Sequence, residues 1–449
     1  MRTSHTKLKA IPAEQNSADS WIILGCLITI TLTSSLAKFG LFGMDGNAET
    51  GSLAGQVFWG SAYIVSIWRL ILLRERAGKF LKRTWPVVAF LGLAVASYFW
   101  SVAPAITLRN SIEMIGMSAT CYYIVVRFTV REFLELATKY FVGVSFVSAL
   151  LIFLWPSHGR SSFGVVGWAG IFSEKNGFGA AMGLAILTYG VAAAAAKGPK
   201  RWRLILCVLM GTFLLLGSKS VTSLFILVST AVIVTGAVLC SSRRYGVPAR
   251  FAFTAIALAG VIWVALFGPD ILPILNFFGK SEDLSGRTDF WPGIVRAIGD
   301  RPLLGFGYNA FFLSADMENQ YLRPILGESW WYPFHAHNSY YQATLNLGFV
   351  GVSIFACALV PALIKSVMAV VRDHDVAGAW PLAMLVYVLC GSFTETYFGL
   401  PNLITSTFFL VGLLYALRET DVAEDGTLRG SLLQQNAGGL TADSAVVHG

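Results

Sequence analysis

Residues 221–239 read VTSLFILVSTAVIVTGAVL, nineteen positions without one charged side chain. Coiled as an α-helix at about 1.5 Å per residue, the run is roughly 28 Å long, close to the thickness of a bilayer's hydrocarbon core. It is read as a membrane helix. Comparable apolar runs lie at 21–44, 53–73, 85–102, 105–126, 140–155, 178–196, 204–217, 251–267, 340–360, 380–398 and 403–417, twelve runs in all, the one at 204–217 being the shortest. None alternates apolar and polar residues with the period of a barrel strand, so the chain is read as an all-α polytopic membrane protein whose backbone groups pair within each helix.

Composition agrees. Of 449 residues, 55% are hydrophobic and 13% charged, with a mean hydropathy of +0.64, whereas a soluble domain carries about 25% charge. The net charge of +8 has a topological explanation. Arg2, Lys7 and Lys9 precede the first run, and every second connection is basic: Arg74 to Arg83, Arg127 and Arg131, Lys197 to Arg203, Arg243 to Arg250, and Lys365 with Arg372. Positive charge collects on the cytoplasmic side, so both termini are expected there and no nucleic-acid partner is implied. The first run is longer than the apolar core of a signal peptide, and removing it would spoil the alternation. The six cysteines (Cys26, Cys121, Cys207, Cys240, Cys357, Cys390) sit within or at the ends of apolar runs, which gives neither a disulfide framework nor a CxxC metal site.

The chain therefore divides into a cytoplasmic arm at 1–20, a membrane domain at 21–418 and a tail at 419–449 without apolar period, read as disordered and cytoplasmic. Its long extramembrane segment is 268–339, about 70 residues between the ninth and tenth runs and well beyond an ordinary connection. There 286–312 read GRTDFWPGIVRAIGDRPLLGFGYNAFF and 335–351 read HAHNSYYQATLNLGFVG. Trp291, Ile294, Val295 and Ile298 recur at helical spacing, which predicts a short amphipathic helix starting near Thr288 or Asp289 and stopping at Gly299 and Pro302. Arg287, Arg296 and Arg301 accompany it, and Trp330, Trp331, Tyr332 and Phe334 suit a headgroup region, placing the loop along the outer membrane surface.

GRTDFW, RPLLGFGYNAF and HNSYYQATLNLGFVG, the last opening a membrane helix, resemble the core signature of the O-antigen ligase and polymerase (Wzy/WaaL) superfamily. Within it the chain is most similar to exopolysaccharide polymerisation proteins of the ExoQ kind. SVAPAITLRNS at 101–111, GIFSEKNGFG at 170–179 and GSKSVTSL at 217–224 have counterparts there, so the resemblance runs from about Tyr98 to Asn402. Two departures stand out: Glu174-Lys175-Asn176 where the family often has His-Lys-Asn, and Lys219 where Arg is common. The glycines of LLGFGYN follow no Rossmann strand and face away from the cytoplasm, which argues against a nucleotide loop.

The resemblance implies a GT-C-like glycosyltransferase acting on the external face of the bacterial cytoplasmic membrane, with a polyprenyl-diphosphate-linked oligosaccharide as donor and neither metal nor other cofactor. It further implies contact with membrane lipids, a chain-length regulator and export proteins. Residue chemistry can be weighed beside it. A departing diphosphate is stabilised by fixed cations in a water-poor site, for which Arg287, Lys219, Arg109 and Lys175 are candidates; lipid headgroup contact is the other reading of external cations. An acceptor hydroxyl must lose its proton, and His337, matching the family's functional histidine, can take it near neutral pH, with Asn338 beside it at the helix start. His335 and His337 without a carboxylate partner are poor support for a metal site. Glu395, in GSFTETYFG at the end of the eleventh run, either positions His337, hydrogen-bonds a sugar or sits in headgroup water. Glu113 has Arg109 at i−4, which accounts for it structurally. Arg160 and Glu174 carry no role readable from sequence. The expected activity is polymerisation of lipid-linked repeat units; alternatives are ligase-type transfer of glycan to lipid A core or protein, and transport. Carriers place ionisable groups near mid-membrane, whereas these runs are almost free of charge at their centres.

Overall fold

The computed structural model describes residues 13–38, 53–161, 166–241, 287–327, 332–373, 376–401 and 403–418. Outside them lie several features of the sequence reading: residues 1–12 of the expected amino-terminal arm, the run at 251–267, Arg243 to Arg250, Trp330, Trp331 and the tail; the remainder of that arm, 13–20, is the start of α1. The described residues are helical, with one antiparallel bridge, Arg160 to Trp168, and no sheet. The main helices are α1 (Ala13–Lys38), α2 (Leu53–Leu72), α3 (Arg74–Arg83), α4 (Trp85–Ala96), α5 (Pro104–Arg127), α6 (Val130–Leu154), α7 (Lys175–Ala195), α8 (Gly198–Ser218), α9 (Val221–Ser241), α10 (Arg287–Asp300), α11 (Ser339–Asp373), α12 (Ala379–Gly391) and α13 (Ile404–Leu417).

Each apolar run with described residues falls at least in part on one of these helices, yet the number long and apolar enough to cross a bilayer is five among the described residues, or six if α2 and α3 count as one bent span. The difference from twelve has identifiable sources. α4, α12, α13 and the apolar part of α1 are shorter, and α5, 24 residues long, carries Arg109 and Glu113. One run changes the other way: the shortest in the sequence, 204–217, is the end of the 21-residue α8, which continues backward through Arg203, Arg201 and Lys200. Long basic side chains can reach water from a helix end, so charge there shortens the hydropathic signal without shortening the helix. The basic connection after α2 is itself a helix, α3, bent by 100° from α2.

α7, α12 and α13 form the most enclosed part of the core. Trp380, fully buried, packs its ring against Phe133 (5.4 Å between centroids), Phe408 (6.1 Å) and Tyr415 (6.4 Å), and donates its indole N–H to Thr188 Oγ1 at 3.1 Å. Such a ring stays indoors because its polar handle finds a partner. At one end of the bundle Asp19 of α1, 1% exposed, is ion-paired to Arg69 of α2 and Arg127 of α5 and accepts the Tyr123 hydroxyl at 2.8 Å. α6 starts at the same end on a Thr129/Glu132 capping box, in which each residue satisfies the other's backbone N–H.

The long helix α11 is broken at Gly348 (φ 62°, ψ −169°), and the glycine loop at 302–307 repairs the break. Phe306 and Gly307 donate to the Leu345 and Asn346 carbonyls at 2.8 and 3.1 Å, while Phe349 and Val350 donate to the Pro302 and Leu303 carbonyls at 2.8 and 3.2 Å. Backbone groups freed inside a membrane protein must be satisfied internally, and these are. A Cβ on Gly348 would lie 2.1 Å from the Leu303 oxygen, and one on Gly305 2.4 Å from the Leu345 oxygen, so both positions require glycine. The glycines of LLGFGYN thus serve backbone approach to another helix, and Asn309 of the same motif joins the buried amides of Gln342 (3.4 Å) and Asn346 (3.0 Å).

α10 spans the predicted amphipathic segment with its ends within a residue or two of expectation. Its buried Phe290, Ile294 and Ala297 pack on Phe306, Tyr321 and Leu345, so the inner face of this helix rests on protein. α12 ends at Gly391, seven residues before the apolar run does, because Thr394 and Glu395 turn back to donate to the Gly391 carbonyl at 3.1 and 2.9 Å.

Candidate active site

The segment entering α11 is fastened on both sides. Trp291 of α10 donates its indole N–H to the Ala336 carbonyl at 3.0 Å, and the Ala336 N–H donates to Gln342 Oε1 at 2.9 Å. Asn338 caps the helix: its Oδ1 accepts from the backbone of Tyr340 (2.9 Å) and Tyr341 (3.1 Å), and its Nδ2 donates to the Phe393 carbonyl at 3.2 Å. Ser339 Oγ donates to the Glu395 carbonyl (3.1 Å) and accepts from Tyr397 N–H (2.9 Å), which pins the turn after α12 to the start of α11. Asn338 is therefore an architectural residue of the site in its described contacts.

Between these anchors His337 adopts a left-handed backbone (φ 48°), rare for a residue with a side chain and typical of places where surroundings impose it. Its Nδ1 lies 3.1 Å from Glu395 Oε2. Glu395 is 7% exposed and sits in the turn following α12, so it belongs to a loop facing His337 and not to a membrane helix. A carboxylate can only accept, so Nδ1 must carry the proton of this bond; in the neutral imidazole the basic lone pair is then on Nε2. His335 lies against His337 with ring centroids 4.1 Å apart and planes tilted by 50°, and its Nδ1 lies 3.2 Å from both Thr396 Oγ1 and the His337 backbone nitrogen. Phe290 of α10 meets His337 edge-on at 6.3 Å.

The other oxygen of Glu395, Oε1, accepts from Asn176 Nδ2 at 3.2 Å. Asn176 Oδ1 accepts from Ser220 Oγ at 3.2 Å, and Ser220 and Ser223 are 3.0 Å apart. A hydrogen-bonded row thus joins the starts of α11, α7 and α9 to the end of α12. Lys175 precedes Asn176 and Lys219 precedes Ser220, so each cation adjoins a residue of this row. Lys219 is exposed and left-handed (φ 54°) at the end of α8, where glycine is the usual occupant. Two cations borne by residues adjoining a row that ends on a His–Glu pair suit a multiply charged anion.

The remaining candidates fall elsewhere. Arg109 Nε is 3.9 Å from Glu113 Oε1 on α5, as the i−4 spacing suggested, and burial, with the Glu113 charge second, holds the phenol of the fully buried Tyr308 above its ordinary range. Arg287 opens α10 one turn before Phe290; its side chain is outside the described residues. Glu174 is exposed before α7, and Arg160 is exposed at the lone bridge. What sequence reading missed is Asn176, Ser220 and Ser223. They lay inside two recognised motifs, but their charged neighbours carried the chemical argument while these neutral side chains make the bonds.

Residues 204–356 match the model of the O-antigen ligase family, Wzy_C, a segment that includes Lys219, Arg287, His337 and Asn338 but not Asn176 or Glu395. The chain is similar to the exopolysaccharide production protein ExoQ of Rhizobium meliloti, with 27% identity over 331 residues, 71% of this chain and 74% of that protein. A putative polysaccharide ligase of Rickettsia bellii is 25% identical over 145 residues, covering 30% of this chain and 35% of that protein. Another, from Rickettsia conorii, is 27% identical over 129 residues, or 27% and 31% of the two chains.

Proposed function

We propose, from this kinship with ExoQ and the O-antigen ligase family, that the chain polymerises polyprenyl-diphosphate-linked oligosaccharide repeat units into exopolysaccharide at the external face of the cytoplasmic membrane. The observation that carries the reading is the hydrogen-bonded row from His337 through Glu395 and Asn176 to Ser220, whose last two members directly follow Lys175 and Lys219 at the ends of α7 and α8. The opposite ends of these helices carry Lys197, Lys200, Arg201 and Arg203, the charges that favour the cytoplasmic side and set both termini there.

In this mechanism an acceptor hydroxyl of one lipid-linked unit attacks the anomeric carbon of another. Its proton passes to Nε2 of His337, and the resulting imidazolium is stabilised by Glu395. The anomeric carbon–oxygen bond breaks with its electron pair going to the diphosphate, whose charge is met by Lys219, Lys175 and Arg287. Arg109 has the least support of the set, since its contacts run to Glu113.

Purified full-length protein in proteoliposomes, supplied with lipid-linked repeat units extracted from a strain lacking it, is expected to build a ladder of longer glycans on the same lipid and release polyprenyl diphosphate. Chelator should leave the ladder intact. Unchanged single units in the reconstituted system would contradict the proposal, and activity lost with chelator and restored by one divalent ion would contradict its metal-free mechanism.

The rickettsial relatives favour a second reading, transfer of a finished glycan to another acceptor, which the same residues serve equally well.

A further inference from the structure

We propose that Asn176 is a positioning residue that holds the base in its reactive tautomer, an inference that rests on reading His337 as that base. The argument begins with an asymmetry of donors and acceptors. Glu395 only accepts, so the Asn176 atom 3.2 Å from Oε1 must be the amide nitrogen, and this fixes which way the side chain is turned. Its Oδ1 then faces Ser220 Oγ, which must donate, leaving Ser220 to accept from Ser223. Donors therefore point in one direction, Ser223 to Ser220 to Asn176 to Glu395, and meet the His337 Nδ1–H coming from the other side.

The anchor of the row is rigid. Ser220 is 3% exposed and Ser223 fully buried, and the Ser220 backbone N–H donates to Ser218 Oγ at 3.2 Å. An almost buried carboxylate is tolerable only when its oxygens are hydrogen-bonded. With Asn176 on Oε1, the other oxygen stays aimed at Nδ1. Without it, Oε1 seeks a different donor, the carboxylate turns, and the tautomer of His337 is no longer dictated.

The titratable groups in contact with His337 include His335 on its own segment and Glu395 in the turn after α12. None of them is altered by changing Asn176, so the effect of the change on His337 can be read directly.

The test is 15N-histidine NMR on the full-length protein in lipid nanodiscs, with the His337 signals assigned by their loss in His337→Ala. Wild type should show neutral His337 protonated at Nδ1. Asn176→Ala should give a mixture of tautomers. In the reconstituted assay kcat of Asn176→Ala should fall about tenfold with KM within about twofold, as expected when an interaction matters in the transition state more than in binding. Ser220→Ala, which leaves Asn176 in place, provides a second variant should the first fail to fold, and is expected to give the same mixture to a smaller degree. An identical tautomer in wild type and in these variants would overturn the inference. Full turnover by His337→Ala would instead overturn the base assignment, an outcome distinguishable because the NMR measurement uses no glycan.

Discussion

His337→Ala is expected to abolish polymer formation while leaving the protein in the membrane at its normal level. General-base catalysis is worth about 10²–10⁴-fold, and here it is concentrated in one imidazole whose orientation Glu395 supplies. The protein should tolerate the change, because Asn338, Ser339 and Ala336, not the imidazole, make the bonds that fasten the segment. Glu395→Gln is the sharper companion. A glutamine amide can donate to Nδ1, which would leave the proton on Nε2 and the base without its lone pair, so a loss approaching that of His337→Ala should follow with little change in shape. Arg287→Ala should also be inactive and Arg287→Lys only partly restored, since an ammonium does not reproduce the planar two-point contact of guanidinium with phosphate. Turnover assays beside membrane levels decide this, and an active His337→Ala enzyme would remove the residue from the mechanism.

Asp19→Ala should cost stability and not chemistry. The carboxylate is almost fully buried between Arg69 and Arg127, and Tyr123 donates to it while accepting from Arg69 Nε at 3.3 Å. Three helices, α1, α2 and α5, are joined at this point. Removing one partner of a buried ion pair costs about 3–5 kcal/mol because the other is left uncompensated, and here two guanidinium groups are left. Against a total stability of about 5–15 kcal/mol, that loss should appear as a large drop in melting temperature and in recovery from membranes. Asp19→Asn, which keeps a hydrogen-bonding side chain without the charge, should fall between. Wild-type melting of Asp19→Ala in detergent would show that the cluster contributes little.

Much of the helical framework was legible, because the apolar runs with described residues fall on helices, while the number of crossings was not, since five of those helices, or six with the bent pair, have the length and apolarity a bilayer demands. What escaped had local causes. Lys200, Arg201 and Arg203 hide the first turns of α8 from any hydropathic reading. The break at Gly348 is invisible in LNLGFVG, since its repair comes from residues more than forty positions earlier in the chain, 302–307. Glu395 was assigned to a helix end because GSFTETYFG continues an apolar run, whereas Thr394 and Glu395 use the Gly391 carbonyl to turn out of it. Within the site, His337 and Glu395 were named separately and their pairing left open. Asn176 was overlooked because a neutral amide shows its worth only when both neighbours are seen.

The most direct measurement of the central claim is mass analysis of carrier lipids from a strain lacking this protein. A polymerase joins repeat units before any later transfer, so its loss is expected to leave single repeat units on the polyprenyl diphosphate and no high-molecular-weight polysaccharide. Long glycans accumulating on the same carrier would contradict that account in favour of a ligase, and carrier lipids unchanged from wild type would contradict both.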